Sequence, residues 1–176
     1  NGESVSQPVT IHAPTSGGPY PVILFTHGFQ LSPSDYASYG EHLASWGYVV
    51  VMPALPGSLF NAPTHRESAD TLKALLDWID AHASDPSGPL KGRADASTLG
   101  LAGHSMGGKL SLLVASEDSR PDAVFGVDPV DAGGGPMGGD PIDYPSVTPE
   151  RMPQITVPLV LLGETLNGSG GGFGQA

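Results

Sequence analysis

Thr98-Leu99-Gly100-Leu101-Ala102-Gly103-His104-Ser105-Met106-Gly107-Gly108-Lys109-Leu110 is the stretch whose reading decides the fold. Thr98–Ala102 reads as a short buried strand, and Met106–Ser116 as a helix. Between them, Gly103-His104-Ser105-Met106-Gly107 fits the pattern G-x-S-x-G. The pattern alone is short enough to arise by chance; the strand before it and the helix after it give it weight. A sharp strand-to-helix turn forces Ser105 into a strained backbone conformation, and glycines at 103 and 107 remove Cβ atoms that would clash. The hydroxyl is then held at the carboxyl edge of a sheet, beside a helix N-terminus whose amides favour developing negative charge. Ser105 is therefore expected to be a nucleophile. The plainer alternative is a Gly-rich turn with an incidental serine.

Outward from this point, strand-like and helix-like segments alternate, as in a mostly parallel sheet covered by helices. Val9–His12 reads as a short early strand. Val22-Ile23-Leu24-Phe25-Thr26 is a continuous apolar run, as expected of a strand buried on both faces. Ser32-Pro33-Ser34-Asp35 supplies an N-cap, a proline at N1 and an acid at N3 for a helix that Gly47 ends. Tyr48–Met52 is the next strand. Leu72, Leu75, Leu76 and Ile79 share one helical stripe, and Asp85-Pro86-Ser87-Gly88-Pro89 breaks the chain after it. Ala123–Val127 and Val157–Leu162 are two further strands, with Pro158 at a strand start, where a missing donor is tolerated. The expectation is one α/β domain over residues 1–176.

Composition narrows the function classes. Acids outnumber Lys and Arg by 18 to 7, a net charge of −11, and the basic residues are scattered, so nucleic acid is not an expected partner. No Cys occurs, which excludes thiolate chemistry within these residues. No apolar run reaches membrane-spanning length, and Asn1-Gly2-Glu3-Ser4 lacks the basic-then-apolar pattern of a signal peptide. An uncharged substrate fits this balance best.

Thr26-His27-Gly28-Phe29 follows the first long strand, where such folds offer a backbone N–H to an oxyanion; the residue after the nucleophile offers another. That assigns the amides of Phe29 and Met106. His27 and His104 stand beside a turn glycine and beside the nucleophile, which suits packing and hydrogen bonding to the backbone better than base catalysis.

Three segments carry a family resemblance: Thr26-His27-Gly28-Phe29 through Trp46-Gly47-Tyr48-Val49-Val50-Val51-Met52-Pro53, the elbow Leu101–Lys109, and Gly126-Val127-Asp128-Pro129-Val130-Asp131. Together they resemble the serine esterases of the α/β-hydrolase superfamily, and within it the chlorophyllase and dienelactone-hydrolase-like family. The resemblance spans roughly Tyr20 to Leu162. One departure is Met106, where plant chlorophyllases carry Arg; bacterial lipases and polyester hydrolases share the Gly-His-Ser-Met-Gly form. The resemblance implies an α/β-hydrolase fold and Asp128 as the acid of a Ser-His-Asp triad. Asp128 also stands at the carboxyl end of a strand, the edge where open α/β sheets bind ligands. Its rivals are Asp131 and Glu164.

The reading that follows is hydrolysis of a neutral, apolar carboxylic ester through an acyl-enzyme, with no cofactor and no metal. Asp131, Asp140 and Asp143 lack the ligand spacing of a calcium loop, and His65 with Glu67 makes too small a set for a metal. Leu59, Phe60 and Val130, with Phe29 and Met106, are expected cleft walls. The alternatives are a non-catalytic binding protein, an acyltransferase or a peptidase on the same fold. One component is missing. The chain order for this fold is Ser, acid, His, yet the histidines are His12, His27, His42, His65, His82 and His104, all before Ser105. The expectation is that the catalytic His lies on a C-terminal remainder of roughly 45 residues or more, by average element lengths, either docked as a separate chain or disordered. Without that remainder, one sheet edge and an apolar face are expected to lie uncovered.

Overall fold

Long apolar runs at 20–26 and 49–53 set the centre of the molecule, because their residues can be buried on both sides only inside a sheet covered twice. The computed structural model describes residues 6–57, 62–131 and 139–163. Strands β1 (Val9–His12), β2 (Tyr20–Thr26), β3 (Val49–Pro53), β4 (Ala94–His104), β5 (Ala123–Val127) and β6 (Leu159–Leu162) form one sheet in the order β1-β3-β2-β4-β5-β6. β1 runs antiparallel to β3, and every other pairing is parallel.

Among the described residues, three α-helices connect the strands: α1 (Ala37–Ser45), α2 (His65–His82) and α3 (Met106–Ala115). The helix expected from Ser32 begins instead as a 3-10 turn, Pro33–Tyr36, and becomes α-helical only at Ala37. Its start is held by the Asp35 carboxylate, which accepts from the Ser32 N–H and Oγ–H, each at 2.8 Å. α2 carries a reciprocal cap: Glu67 N–H donates to Thr64 Oγ1 at 3.1 Å, and Thr64 N–H donates to Glu67 Oε2 at 2.8 Å. β4 is longer than Thr98–Ala102 because its polar half, from Ala94, still pairs with β2 across a register shift at Pro21/Val22.

Alternate residues of β2 enter different layers, as the strand period requires. Val22 and Leu24 join Leu72, Leu76, Leu110 and Leu113 under α2 and α3. Ile23 and Phe25 pack with Tyr36, Val50, Met52 and Leu43 on the side of α1. That second layer stops short: Phe125, Val160 and Leu162 are 38%, 50% and 53% exposed. An apolar groove of about 420 Å³ runs there over β2, β4 and β5 between Leu43 and Phe125. Among the described residues, no helix is long and apolar enough to cross a membrane.

Candidate active site

Register brings the candidate residues together at one edge. Thr26, Gly103 and Gly126 share a rung across β2, β4 and β5, and His104 pairs with Val127 one step further. Ser105 and Asp128 are thus each one residue past the last paired rung of neighbouring parallel strands, which lie about 4.8 Å apart. The loop after β2, bearing Gly28 and Phe29, leaves the same edge on the other side of β4.

Local geometry follows from the sequence. Ser105 has φ 53° and ψ −118°, a conformation side chains rarely adopt. The turn is tight: a Cβ on Gly103 would stand 2.4 Å from the Gly107 carbonyl, and one on Gly107 only 2.1 Å from the Thr26 oxygen. The first turn of α3 therefore rests directly on the chain leaving β2. Gln30 (φ 59°) and Asp128 (φ 45°) are also left-handed. Three of the four described non-glycine residues with positive φ, Gln30, Ser105 and Asp128, thus lie at this edge, Lys91 being the other. Such strain persists only where surrounding contacts over-determine it.

Those contacts are visible. Ser105 N–H donates to Val127 O at 3.0 Å, and Val130 N–H donates to Ser105 O at 3.3 Å. Asp128 N–H donates to Leu162 O at 2.6 Å. The elbow, the loop after β5 and the end of β6 are stitched into one unit. Met106 is buried, and Phe29 packs partly buried against the larger core cluster. Glu164, Leu59 and Phe60 lie outside the described residues.

The histidines have other occupations. His27 Nδ1–H donates to Gly28 O at 2.8 Å, while Nε2 accepts the Leu55 N–H at 3.0 Å, so both ring nitrogens serve the backbone. His104 Nδ1 lies 2.6 Å from the Tyr36 hydroxyl, a side-chain partner where a backbone one was expected. His82 Nδ1–H donates to Trp78 O at 2.8 Å. His65 packs edge-on to Tyr144 at 4.9 Å, and burial, with the nearby Lys109 charge, pushes its pKa down to about 4. Glu67, weighed with His65 as a metal pair, is the helix cap described above.

Two charged groups beside the elbow were not legible as a pair. Lys109, in the first turns of α3, is fully buried, and burial lowers its pKa. Its Nζ lies 4.0 Å from Asp131 Oδ1. Asp131, weighed above as a rival for the acid, is buried and engaged by the 146–148 segment. It accepts from Val147 N–H at 2.7 Å, Thr148 N–H at 2.6 Å and Ser146 Oγ at 3.0 Å, and from the Thr148 hydroxyl. The available signal was Lys109 itself, the lone charge in a helix apolar on every side. Among the described residues, no group of three or more His, Cys, Asp or Glu could hold a metal ion.

Comparison with known proteins places this architecture. The family model described as Chlorophyllase matches residues 1–169. Chlorophyllase-1 of Arabidopsis thaliana is 34% identical over 135 residues, covering 70% of this chain and 40% of that protein. Chlorophyllase-1, chloroplastic, of Citrus unshiu is 28% identical over 162 residues, 92% of this chain and 47% of that protein. Cutinase est1 of Thermobifida alba is 37% identical over 113 residues, 64% of this chain and 36% of that protein. The chain spans less than half the length of these relatives.

Proposed function

The chain belongs to the chlorophyllase family, and from that premise we propose that it carries the nucleophile half of an α/β-hydrolase that cleaves carboxylic esters. The observation that carries this reading is the common level of Ser105 and Asp128 at the carboxyl edge, with the Phe29 loop on the other side. The names of the relatives, chlorophyllases and cutinases, support an ester substrate.

Ser105 Oγ attacks the ester carbonyl while a histidine outside the six in this sequence takes its proton. Asp128 orients that imidazole and stabilises its cation. Charge gathers on the carbonyl oxygen, and the amides of Phe29 and Met106 are the donors assigned to it. Collapse breaks the C–O bond, and the imidazolium returns its proton to the leaving alcohol. Water then repeats the sequence on the acyl-enzyme, releasing the acid and restoring the hydroxyl. The walls assigned to the cleft (Leu59, Phe60, Val130, Phe29 and Met106) are apolar, and the −11 charge disfavours anionic substrates. A neutral apolar ester is the substrate class.

The test is turnover of p-nitrophenyl butyrate together with labelling by a fluorophosphonate. Ser105→Ala is expected to keep the fold, lose the label and lose hydrolysis by several orders of magnitude. Undiminished turnover in that variant sinks the assignment.

A further inference from the structure

We infer that Tyr36 is a positioning residue for the oxyanion site, its hydroxyl joining the loop that carries Phe29 to the elbow that carries Ser105. The inference rests on the esterase reading of Ser105 and adds to it a residue outside the triad and its donors.

The geometry is specific. Tyr36 Oη accepts the Gly28 N–H at 3.2 Å and lies 2.6 Å from His104 Nδ1. Gly28 immediately precedes Phe29, and His104 immediately precedes Ser105. One hydroxyl therefore spans the residues before the proposed donor and before the proposed nucleophile. A phenol has one proton; with Gly28 donating to it, both bonds are fully used when the O–H points at His104 Nδ1. That arrangement fixes His104 as the Nε2–H tautomer. Burial raises the Tyr36 pKa, which keeps the proton in place.

The ring cannot easily drift. Tyr36 is 7% exposed, with Phe25 at 5.2 Å, His104 at 5.8 Å and Tyr39 at 6.0 Å between ring centroids. It ends the 3-10 turn that Ser32 and Asp35 close. A donor aimed at an oxyanion loses most of its value when displaced by a fraction of an ångström. Tyr36 acts by preventing that displacement, without touching the reacting atoms.

The experiment uses the full protein that carries this chain. Tyr36→Phe keeps the ring and removes the hydroxyl. Its expected signature is a fall of roughly tenfold in kcat with KM unchanged, and a matching loss of affinity for an alkyl boronic acid, which mimics the tetrahedral adduct. His104→Gln, which retains an acceptor, is expected to keep most of the activity, and His104→Leu to approach Tyr36→Phe. Ile79→Val thins the other core layer, near the end of α2 and away from Tyr36, and is expected to lower the melting temperature while leaving kcat and boronate affinity in place. Wild-type kcat in Tyr36→Phe overturns the proposal, as does an equal kcat loss in Ile79→Val. An unmutated protein inert to both ester and fluorophosphonate removes the esterase reading and this proposal with it. An active one indifferent to Tyr36→Phe removes the proposal alone.

Discussion

Lys109 Nζ and Asp131 Oδ1 face each other at 4.0 Å with side chains 0% and 2% exposed, one on the helix that Ser105 starts and the other three residues past Asp128. A buried pair gains little over apolar packing, but breaking it removes a countercharge from a buried group. Asp131 also holds the N–H groups of Val147 and Thr148. Asp131→Ala is therefore expected to cost about 3 kcal/mol or more, and Lys109→Met clearly less, since Asp131 then keeps its donors. Urea unfolding of both variants checks the order; equal or reversed losses contradict it.

His65 is expected to make stability fall in acid. Its pKa is held at about 4 in the folded protein, against 6.5 as the ordinary value, mainly by burial. Between those values the unfolded chain binds the extra proton, so stability drops as pH falls from about 6.5 to about 4 and levels off below. The loss reaches about 3 kcal/mol. His65→Phe, compared with the unmutated protein in urea melts from pH 7 to pH 4.5, should flatten this part of the profile. Parallel profiles would place the acid sensitivity elsewhere.

Glycine substitutions separate close approach from open space. An alanine at Gly107 would drive its Cβ to 2.1 Å from Thr26 O and 2.6 Å from His27 O, both backbone atoms that cannot swing aside. At Gly100 the nearest atom is 3.8 Å away. Gly107→Ala should destabilise by about 3 kcal/mol or more, whereas Gly100→Ala should be neutral or stabilise by about 0.5 kcal/mol. Thermal melts of the pair decide this, and a tolerated Gly107→Ala would contradict the packed elbow.

The order of elements was legible because each signal is local: the apolar runs of β2 and β3, the stripe Leu72–Ile79, and the glycines flanking Ser105. What stayed hidden joins residues far apart in sequence. Tyr36 meets His104 across 68 positions, and Asp131 meets Ser146–Thr148 across 15 to 17. No periodicity encodes such partners; they follow only from strand order and register. The polar half of β4 was missed for the same reason, since its pairing with β2, not its composition, makes it a strand.

Asp128 and Glu164 offer competing positions for the acid. Asp128 is anchored by its own N–H on Leu162 O and stands level with Ser105. β6, the strand that precedes Glu164 in the sequence, lies one strand further from β4 than β5 does. An imidazole between Ser105 and Asp128 needs only the spacing of neighbouring strands. Asp128→Asn is expected to lower turnover by on the order of 10⁴, with Glu164→Gln close to unmutated. Steady-state kinetics on both variants distinguishes them, and the opposite pattern moves the role to Glu164.

None of the six histidines is expected to be the catalytic base. A base needs one nitrogen free to receive the Ser105 proton and the other oriented by the acid. His27 has both nitrogens committed to Gly28 O and Leu55 N–H inside the core, and rotating it out would orphan both groups. His104 is aimed at Tyr36 by the strand alternation that points Ser105 elsewhere. His82 sits at the end of α2 on Trp78, His42 on α1 beside Trp46, and His12 on the edge strand β1. His65 is buried against Tyr144. Replacing each histidine in the full protein should then give two kinds of loss, neither resembling removal of a base. His27→Asn should lower stability and leave turnover per folded molecule within about tenfold. His104→Leu should show the modest kcat effect of a disturbed oxyanion site. Removal of a true base would instead lower kcat by on the order of 10⁴ or more in a protein that still folds. Fluorophosphonate labelling rates across the six variants, read beside their melting temperatures, make the comparison. A single variant that folds normally yet loses labelling on that scale would give its histidine the role here assigned to a residue outside this sequence.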